Sequence, residues 1–339
     1  MIRPGPRNLI TDVDGILVGN AEDENAQSGV TVVLAEEPAL VAVEVQGGAP
    51  ATRETDALDP SCLVDRVDAI ALSGGSVFGL ESAGGVASWL VRQGRGFVYG
   101  AIRVPVVPAA ALFDLTHGGD KDWGDTPPYR SLGVAATGAA GRDFALGNAG
   151  AGLGAIAGKL KGGLGSVSAL SDDGVQVGAI IAVNSFGSLT MPGSPTMWAW
   201  ALEQEGELGG QPLPMHPAGR GFDFEGTLEL HIGTNTTIGV VATNVDLDKA
   251  QARRLALMAH DGLARAISPV HMPFEGDTLF ALSTGRVPLA EPVPPALGRL
   301  GMMAADCVAR AAARAVYEAE SLGDVPSYRS LHAGALAGA

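Results

Sequence analysis

Cysteine is nearly absent from this 339-residue chain: Cys62 and Cys307 are the only two, far apart in sequence. That excludes a disulfide framework and a zinc site built on cysteines. Basic residues are also scarce. Lys and Arg number 22 against 37 Asp and Glu, a formal net charge of −15, and such a chain lacks the basic surface that nucleic-acid binding requires. No run of eighteen apolar residues escapes interruption by charge, Gly or Pro, which excludes a simple membrane span. The first residues, Met1 to Arg7, are followed by Asn8, Asp12 and Asp14 and lack the apolar stretch of a secretory signal, so a cytoplasmic location is expected. Aromatics are few at 5% and charged residues make up only 17%, yet 46% of the chain is hydrophobic, ample for a large core and incompatible with disorder.

What is plentiful is glycine, with 48 residues, alongside 21 prolines. The combination points to many turns and close backbone approaches around an Ala/Val/Leu core. Short apolar runs bounded by Gly, Pro or Asp read as strands at 29–34, 40–45, 67–72, 175–183, 228–232, 237–242 and 278–282. Helical periodicity occupies 76–92, 248–267 following a cap-like Asp246, and the alanine-rich 296–319. Interleaved strands and helices make the class α/β or α+β. The polar, Pro- and Gly-rich stretch 204–224 reads as an exposed loop, and the small residues 331–339 as a mobile tail.

Familiar motifs fail on inspection. Gly150-Ala151-Gly152-Leu153-Gly154-Ala155 is not preceded by a buried strand, Gly158-Lys159 is followed by Leu160 rather than Ser or Thr, and Phe78 stands where a nucleophile elbow needs its second Gly. The histidines His117, His216, His231, His260, His271 and His332 show no metal-ligand spacing, and each reads as a surface or satisfied side chain. Polar residues at the ends of apolar runs remain: Asn235-Thr236-Thr237 entering one strand, Asn184 closing another, and Glu275-Gly276-Asp277 before a third. Strand ends are where a rigid sheet presents groups to a pocket, although each group also has an ordinary reading as a strand or turn residue.

In their order along the chain these segments carry a resemblance. Ile10-Thr11-Asp12-Val13-Asp14-Gly15, the run from Gly47 to Asp56, the run from Leu72 to Leu80, Gly147-Asn148-Ala149-Gly150, Lys161-Gly162-Gly163-Leu164-Gly165-Ser166, Asn235-Thr236-Thr237-Ile238 and Gly276-Asp277-Thr278-Leu279-Phe280 are its markers. The chain resembles, over nearly its whole length, the L-aminopeptidase D-esterase/β-aminopeptidase family of self-cleaving N-terminal-nucleophile hydrolases, which includes the nylon-oligomer hydrolases. The resemblance implies a four-layer αββα sandwich and a single catalytic domain, residues 1–339, cut before Thr236 into 1–235 and 236–339. Thr236 would then be both nucleophile and, through its freed α-amino group, general base, so that no catalytic histidine is needed.

By the same resemblance Asn184 would donate to the oxyanion, and Lys161, with Lys159 as the competing choice, would lie near the nucleophile. Glu275 and Asp277 would orient the amine of Thr236 or bind a substrate ammonium. Phe113 stands where the nylon-oligomer enzymes carry a tyrosine, a substrate-contacting position that here lacks the hydroxyl. The implied substrates are small peptides, β-peptides or amide oligomers, the implied assembly a homo-oligomer (a tetramer of cleaved protomers), and neither cofactor, metal, nucleic acid nor membrane is called for. The other readings are a nylon-type oligomer endohydrolase, an acyl transferase of the ornithine acetyltransferase kind, and an unprocessed binding protein.

Overall fold

Ser28–Val45 form one uninterrupted strand, where the apolar pattern alone gives two. In the computed structural model, which describes residues 1–211 and 235–336, the intervening Glu36-Glu37-Pro38 is not a turn but an exposed step within the strand. There the pairing register shifts, between Leu34 and Ala39, and the strand leaves one sheet to enter another. Among the described residues the long strands are β1 (Ile16–Asp23), β2 (Ser28–Val45), β3 (Val67–Ser73), β4 (Gly163–Ser171), β5 (Gln176–Asn184), β6 (Thr236–Asp246) and β7 (Thr278–Pro288). The long helices are α1 (Ser82–Arg92), α2 (Tyr129–Gly138), α3 (Lys249–Ala266) and α4 (Val293–Glu318).

The C-terminal half of β2 pairs with β7, which continues through β6, β5 and β4; its N-terminal half pairs with β1 and β3. The period-2 alternation of strand side chains then sorts the apolar residues into three layers. Val33, Ile70 and Leu72 meet Ile180, Ile238, Val240 and Phe280 between the sheets. On one outer face Val177, Ala179, Val241 and Leu279 pack under α3 and α4, and on the other Val30, Val32, Ala69 and Ala71 pack under α1 and α2. The result is the expected αββα arrangement. No helix of the described residues is long and apolar enough to cross a membrane.

Strand β4 escapes sequence reading because Gly163-Leu164-Gly165-Ser166 lacks bulky β-formers. Its glycines are explained by α4: a Cβ on Gly163 would stand 2.5 Å from Ala315 O, and one on Gly165 2.0 Å from Ala311 O. Helix α4 is alanine-rich for the same reason, since small residues on both sides let helix and sheet backbones approach. Helix α3 is capped by Asp248 rather than Asp246: its carboxylate accepts Gln251 N–H at 2.7 Å and Gln251 Oε1 accepts Asp248 N–H at 3.0 Å. The tail expected to be mobile instead begins within a helix, Tyr328–Leu336.

Residues 204–211, expected to be exposed loop, are partly buried. Glu207 lies 3% exposed against Arg310 of α4, itself 1% exposed, in a two-pronged ion pair at 2.5 and 2.7 Å. Arg310 also donates to Ser168 O at 3.1 Å and Asn8 Oδ1 at 3.2 Å. The rest of that expected loop, 212–224, and the strand expected at 228–232 lie outside the described residues. Removing one partner of a buried pair strands the other charge without water. Arg310→Ala is therefore expected to cost about 3–5 kcal/mol of stability, read as a lowered urea midpoint.

Candidate active site

The register of three adjacent strands brings the expected residues together. In the antiparallel pairing of β5 with β6, Asn184 stands directly opposite Thr236. In the parallel pairing of β6 with β7, Ile238 is opposite Thr278, which puts Thr236 level with Gly276. The spacing confirms it: a Cβ on Gly276 would lie 2.9 Å from Thr236 Oγ1 and 2.9 Å from Ala49 O. Only a glycine between the two acidic residues leaves room for the hydroxyl.

Thr236 is 5% exposed, and its Oγ1 donates to the carbonyl of Asn235, the preceding peptide, at 2.5 Å. Asn235 is 2% exposed, and neither its Oδ1 nor its Nδ2 has a partner among the described residues. Buried amides are seldom left so, because the lost hydrogen bonds to water are not replaced. Asn184 is held firmly: its Oδ1 accepts Ile156 N–H at 2.9 Å and its Nδ2 donates to Phe113 O at 2.9 Å. Phe113 thus enters the site through its backbone carbonyl.

Glu275 and Asp277 are both fully buried. Glu275 Oε1 accepts Phe186 N–H and Oε2 accepts Met272 N–H, each at 2.9 Å. Burial, and then the charge of Asp277, push its carboxyl well above the usual carboxylate range, so Glu275 retains its proton far more readily than an exposed glutamate. Asp277 Oδ1 accepts the N–H of Thr237, the residue after the candidate nucleophile, at 2.8 Å. The Gly47–Asp56 segment braces this loop. Ala49 N–H donates to Glu275 O at 2.8 Å, Gln46 N–H to Asp277 O at 3.0 Å, and a Cβ on Gly47 would meet Glu275 O at 2.3 Å.

Of the two candidate lysines, Lys159 is exposed and Lys161 is 1% exposed. Lys161 Nζ donates to Gly152 O and Gly162 O, both at 2.9 Å. Burial lowers its ammonium to about 7. Its strand partner is Ile156, the residue whose N–H holds Asn184. Lys161 therefore stands one strand behind the oxyanion candidate and is able to change charge near neutral pH.

Sequence reasoning overlooks His271. Its Nδ1–H donates to Asp277 Oδ2 at 2.8 Å, and its ring meets that of buried His260 edge to face with centroids 5.1 Å apart. No spacing signal announces a histidine six residues before its carboxylate on an irregular loop. Among the described residues no cluster of His, Cys, Asp and Glu is gathered to hold a metal ion.

The sequence pattern described as Peptidase family S58 matches residues 8–327. The chain belongs to peptidase family S58. An uncharacterized aminopeptidase of Mycobacterium bovis is 42% identical over 346 residues, spanning 97% of this chain and 99% of that relative. A 6-aminohexanoate-oligomer endohydrolase of Kocuria sp. strain KY2 is 28% identical over 312 residues, 88% of this chain and 81% of the relative. Among solved structures, the L-aminopeptidase D-Ala-esterase/amidase of Ochrobactrum anthropi, described as a variant of the Ntn hydrolase fold, matches with a TM-score of 0.70 at 21% identity, covering 97% of this chain and 94% of that one. A Burkholderia sp. β-aminopeptidase matches with a TM-score of 0.66 at 23% identity, covering 97% and 90%. This S58 chain is accordingly a peptidase-type amide hydrolase, and its αββα sandwich is of the Ntn-hydrolase kind.

Lys161 supplies a test of the electrostatics. Between about pH 7 and the ordinary lysine range the unfolded chain binds a proton at this residue that the folded chain has released, so stability rises with pH across that window. Lys161→Met should remove this rise. The check is the difference between wild-type and variant unfolding free energies from pH 6 to pH 10, which is expected to grow in favour of the wild type as pH increases.

Proposed function

We propose that this S58 hydrolase cuts its own backbone between Asn235 and Thr236 and then, as residues 1–235 and 236–339 sharing one fold, hydrolyses amides through an acyl group carried on Thr236. The observation that carries the reading is the Thr236 hydroxyl lying 2.5 Å from the carbonyl oxygen of the peptide it would attack. Attack of Oγ on the Asn235 carbonyl carbon breaks the peptide C–N bond, the proton passing from Oγ to the departing nitrogen. The resulting ester is hydrolysed by water, which leaves the carboxylate of Asn235 and the free α-amine of Thr236.

That amine has an ordinary range of about 7.7–8.0, suited to accept the Oγ proton near neutrality. In turnover the amine takes the proton as Oγ attacks a substrate carbonyl, then returns it to the leaving amine, and water releases the acyl group. Asn184, opposite Thr236, would donate to the oxyanion. Two of the other titratable groups are biased toward neutrality by burial, Lys161 downward and Glu275 upward. A protonated Glu275 adds no negative charge that would hold the Thr236 amine protonated.

The substrate reading follows the relatives' distance. Identity of 42% to an aminopeptidase of Mycobacterium bovis against 28% to an oligomer endohydrolase supports peptides or β-peptides with a free N-terminal amine, and Phe113 at the tyrosine position agrees. A net charge of −15 favours the approach of such ammonium-bearing substrates. For the assembly we propose a homo-oligomer of cleaved protomers. The hairpin of Phe97–Tyr99 and Ile102–Val104 supports it, exposing Phe97 by 68% and Tyr99 by 74%, an apolar face that a second copy would cover.

Intact-mass spectrometry with N-terminal sequencing tests the processing. From a 34.3 kDa precursor two pieces of about 24 and about 10.5 kDa are expected, the smaller beginning Thr-Thr-Ile-Gly, and Thr236→Ala should remain whole. An uncut wild-type chain after prolonged incubation would remove Thr236 from its role. Asn184→Ala should lower kcat by about a hundredfold to a thousandfold on any substrate the wild type turns over.

A further inference from the structure

Two carboxylates flank Gly276, and the structure treats them differently. Glu275 is met by two backbone N–H groups, from Phe186 and Met272. Asp277 is met by three N–H donors. Oδ1 takes Thr237 N–H at 2.8 Å, while Oδ2 takes both the backbone N–H of His271 at 3.2 Å and its ring Nδ1–H at 2.8 Å. Three donors converging on one side chain give its two oxygens fixed, separate tasks.

We propose that His271 is a positioning residue of the S58 site: by engaging Oδ2 it fixes the rotation of the Asp277 carboxylate, so that Oδ1 holds Thr237 N–H and thereby sets the position of Thr236. The inference rests on the reading of Thr236 given above. His271 adopts φ +57°, the left-handed region that a residue with a side chain occupies only at a cost. That backbone turn is what brings both its N–H and its ring nitrogen onto the same carboxylate oxygen. The ring is backed by His260, 3% exposed, whose Nε2–H donates to Glu44 O at 3.0 Å. Burial lowers His260 to about 4, so at neutral pH this ring is an uncharged wall behind His271.

The chain of contacts is therefore continuous: His260 of α3 buttresses His271, His271 orients Asp277, and Asp277 grips the backbone one residue beyond Thr236. Without the Nδ1–H contact Oδ2 keeps only the longer backbone N–H contact, so the carboxylate is held less firmly about its last bond and the hold on Thr237 loosens. Misplacement of a reacting group by an ångström costs about a hundredfold in rate. The hydrogen bonds of His271 go to Asp277, so its influence on Thr236 passes through that carboxylate.

Three variants decide the matter. His271→Phe keeps a ring of similar size and loses the donor. His271→Asn keeps a donor near the Nδ1 position and tolerates the left-handed backbone. Thr236→Ala is the control. The readouts are the first-order rate of precursor cutting and the hydrolysis of an amino-acid p-nitroanilide, with thermal melting to confirm folding. The Phe variant should cut and turn over about tenfold to a hundredfold more slowly, with KM changed less than kcat, and the Asn variant should recover most of the loss. Equal loss in the Phe and Asn variants, or an unimpaired Phe variant beside an inactive Thr236→Ala, overturns the role of His271 alone. Cutting and turnover that persist in Thr236→Ala overturn the Thr236 reading and this inference with it.

Discussion

The grip of Asp277 Oδ1 on the N–H of Thr237, 2.8 Å across, is the contact around which the site is arranged. It is a hydrogen bond to the backbone of a strand that is central in its sheet, with β5 on one side and β7 on the other. Where such a strand begins, its first residue is fixed by its neighbours to within the precision of ladder hydrogen bonds. Thr236 therefore inherits its place from Asn184 across the antiparallel pair and from Gly276 beside the parallel one. The hydroxyl is positioned by the strand ladder together with the Asp277 grip on the next residue, and a rigid element of that kind can present a group with little reorganisation.

The electrostatics follow from that burial. A fully buried site cannot hold many formal charges, because each loses its hydration. Here the lysine and one of the two carboxyls are driven toward their neutral forms, Lys161 to about 7 and Glu275 upward. The other carboxyl, Asp277, is met by three N–H donors. On the proposed mechanism a neutral amine at Thr236 would be easier to maintain in such surroundings than beside two ionised acids, and developing negative charge on a substrate oxygen would be felt strongly in the same low-dielectric space.

Much of this is legible in the sequence, and the physical reason is glycine. Gly47, Gly163, Gly165 and Gly276 each mark a place where another backbone, or in one case the Thr236 hydroxyl, lies too near for a Cβ. Runs containing them therefore carry information about long-range contacts, and these same runs carry the resemblance. The strand ends at Asn184, Thr236 and Asp277 are equally readable, since a buried apolar run that stops at a polar residue puts that residue at the margin of the core, where a pocket can form. What cannot be read is what depends on geometry alone. The choice of Lys161 over Lys159 rests on which side of a short bend faces inward. The continuity of β2 through Glu36-Glu37-Pro38 rests on a sheet switching partners. His271 acquires its meaning only when an irregular loop turns it back onto Asp277.

The topology also bears on why a cut chain would keep its fold. Residues 236–339 contribute β6 and β7, and these are inserted between β5 and β2, both from residues 1–235. Neither piece can complete the sheet alone, and the core between α3, α4 and the sheet draws on both. Polar ties cross the same boundary, and two of them lie just upstream of the proposed cut. Arg310 holds Glu207, and the hydroxyl of Tyr328 accepts from Gln211 Nε2 at 3.0 Å. Glu207 and Gln211 precede the undescribed stretch before Asn235, so the large piece stays anchored to the small one upstream of the proposed cut as well as along the sheet. Breaking one peptide bond in that setting removes a covalent link while leaving the buried area, the ladder and the ion pair intact. On the proposed reading the freed amine of Thr236 would then be delivered into an environment that has already been built.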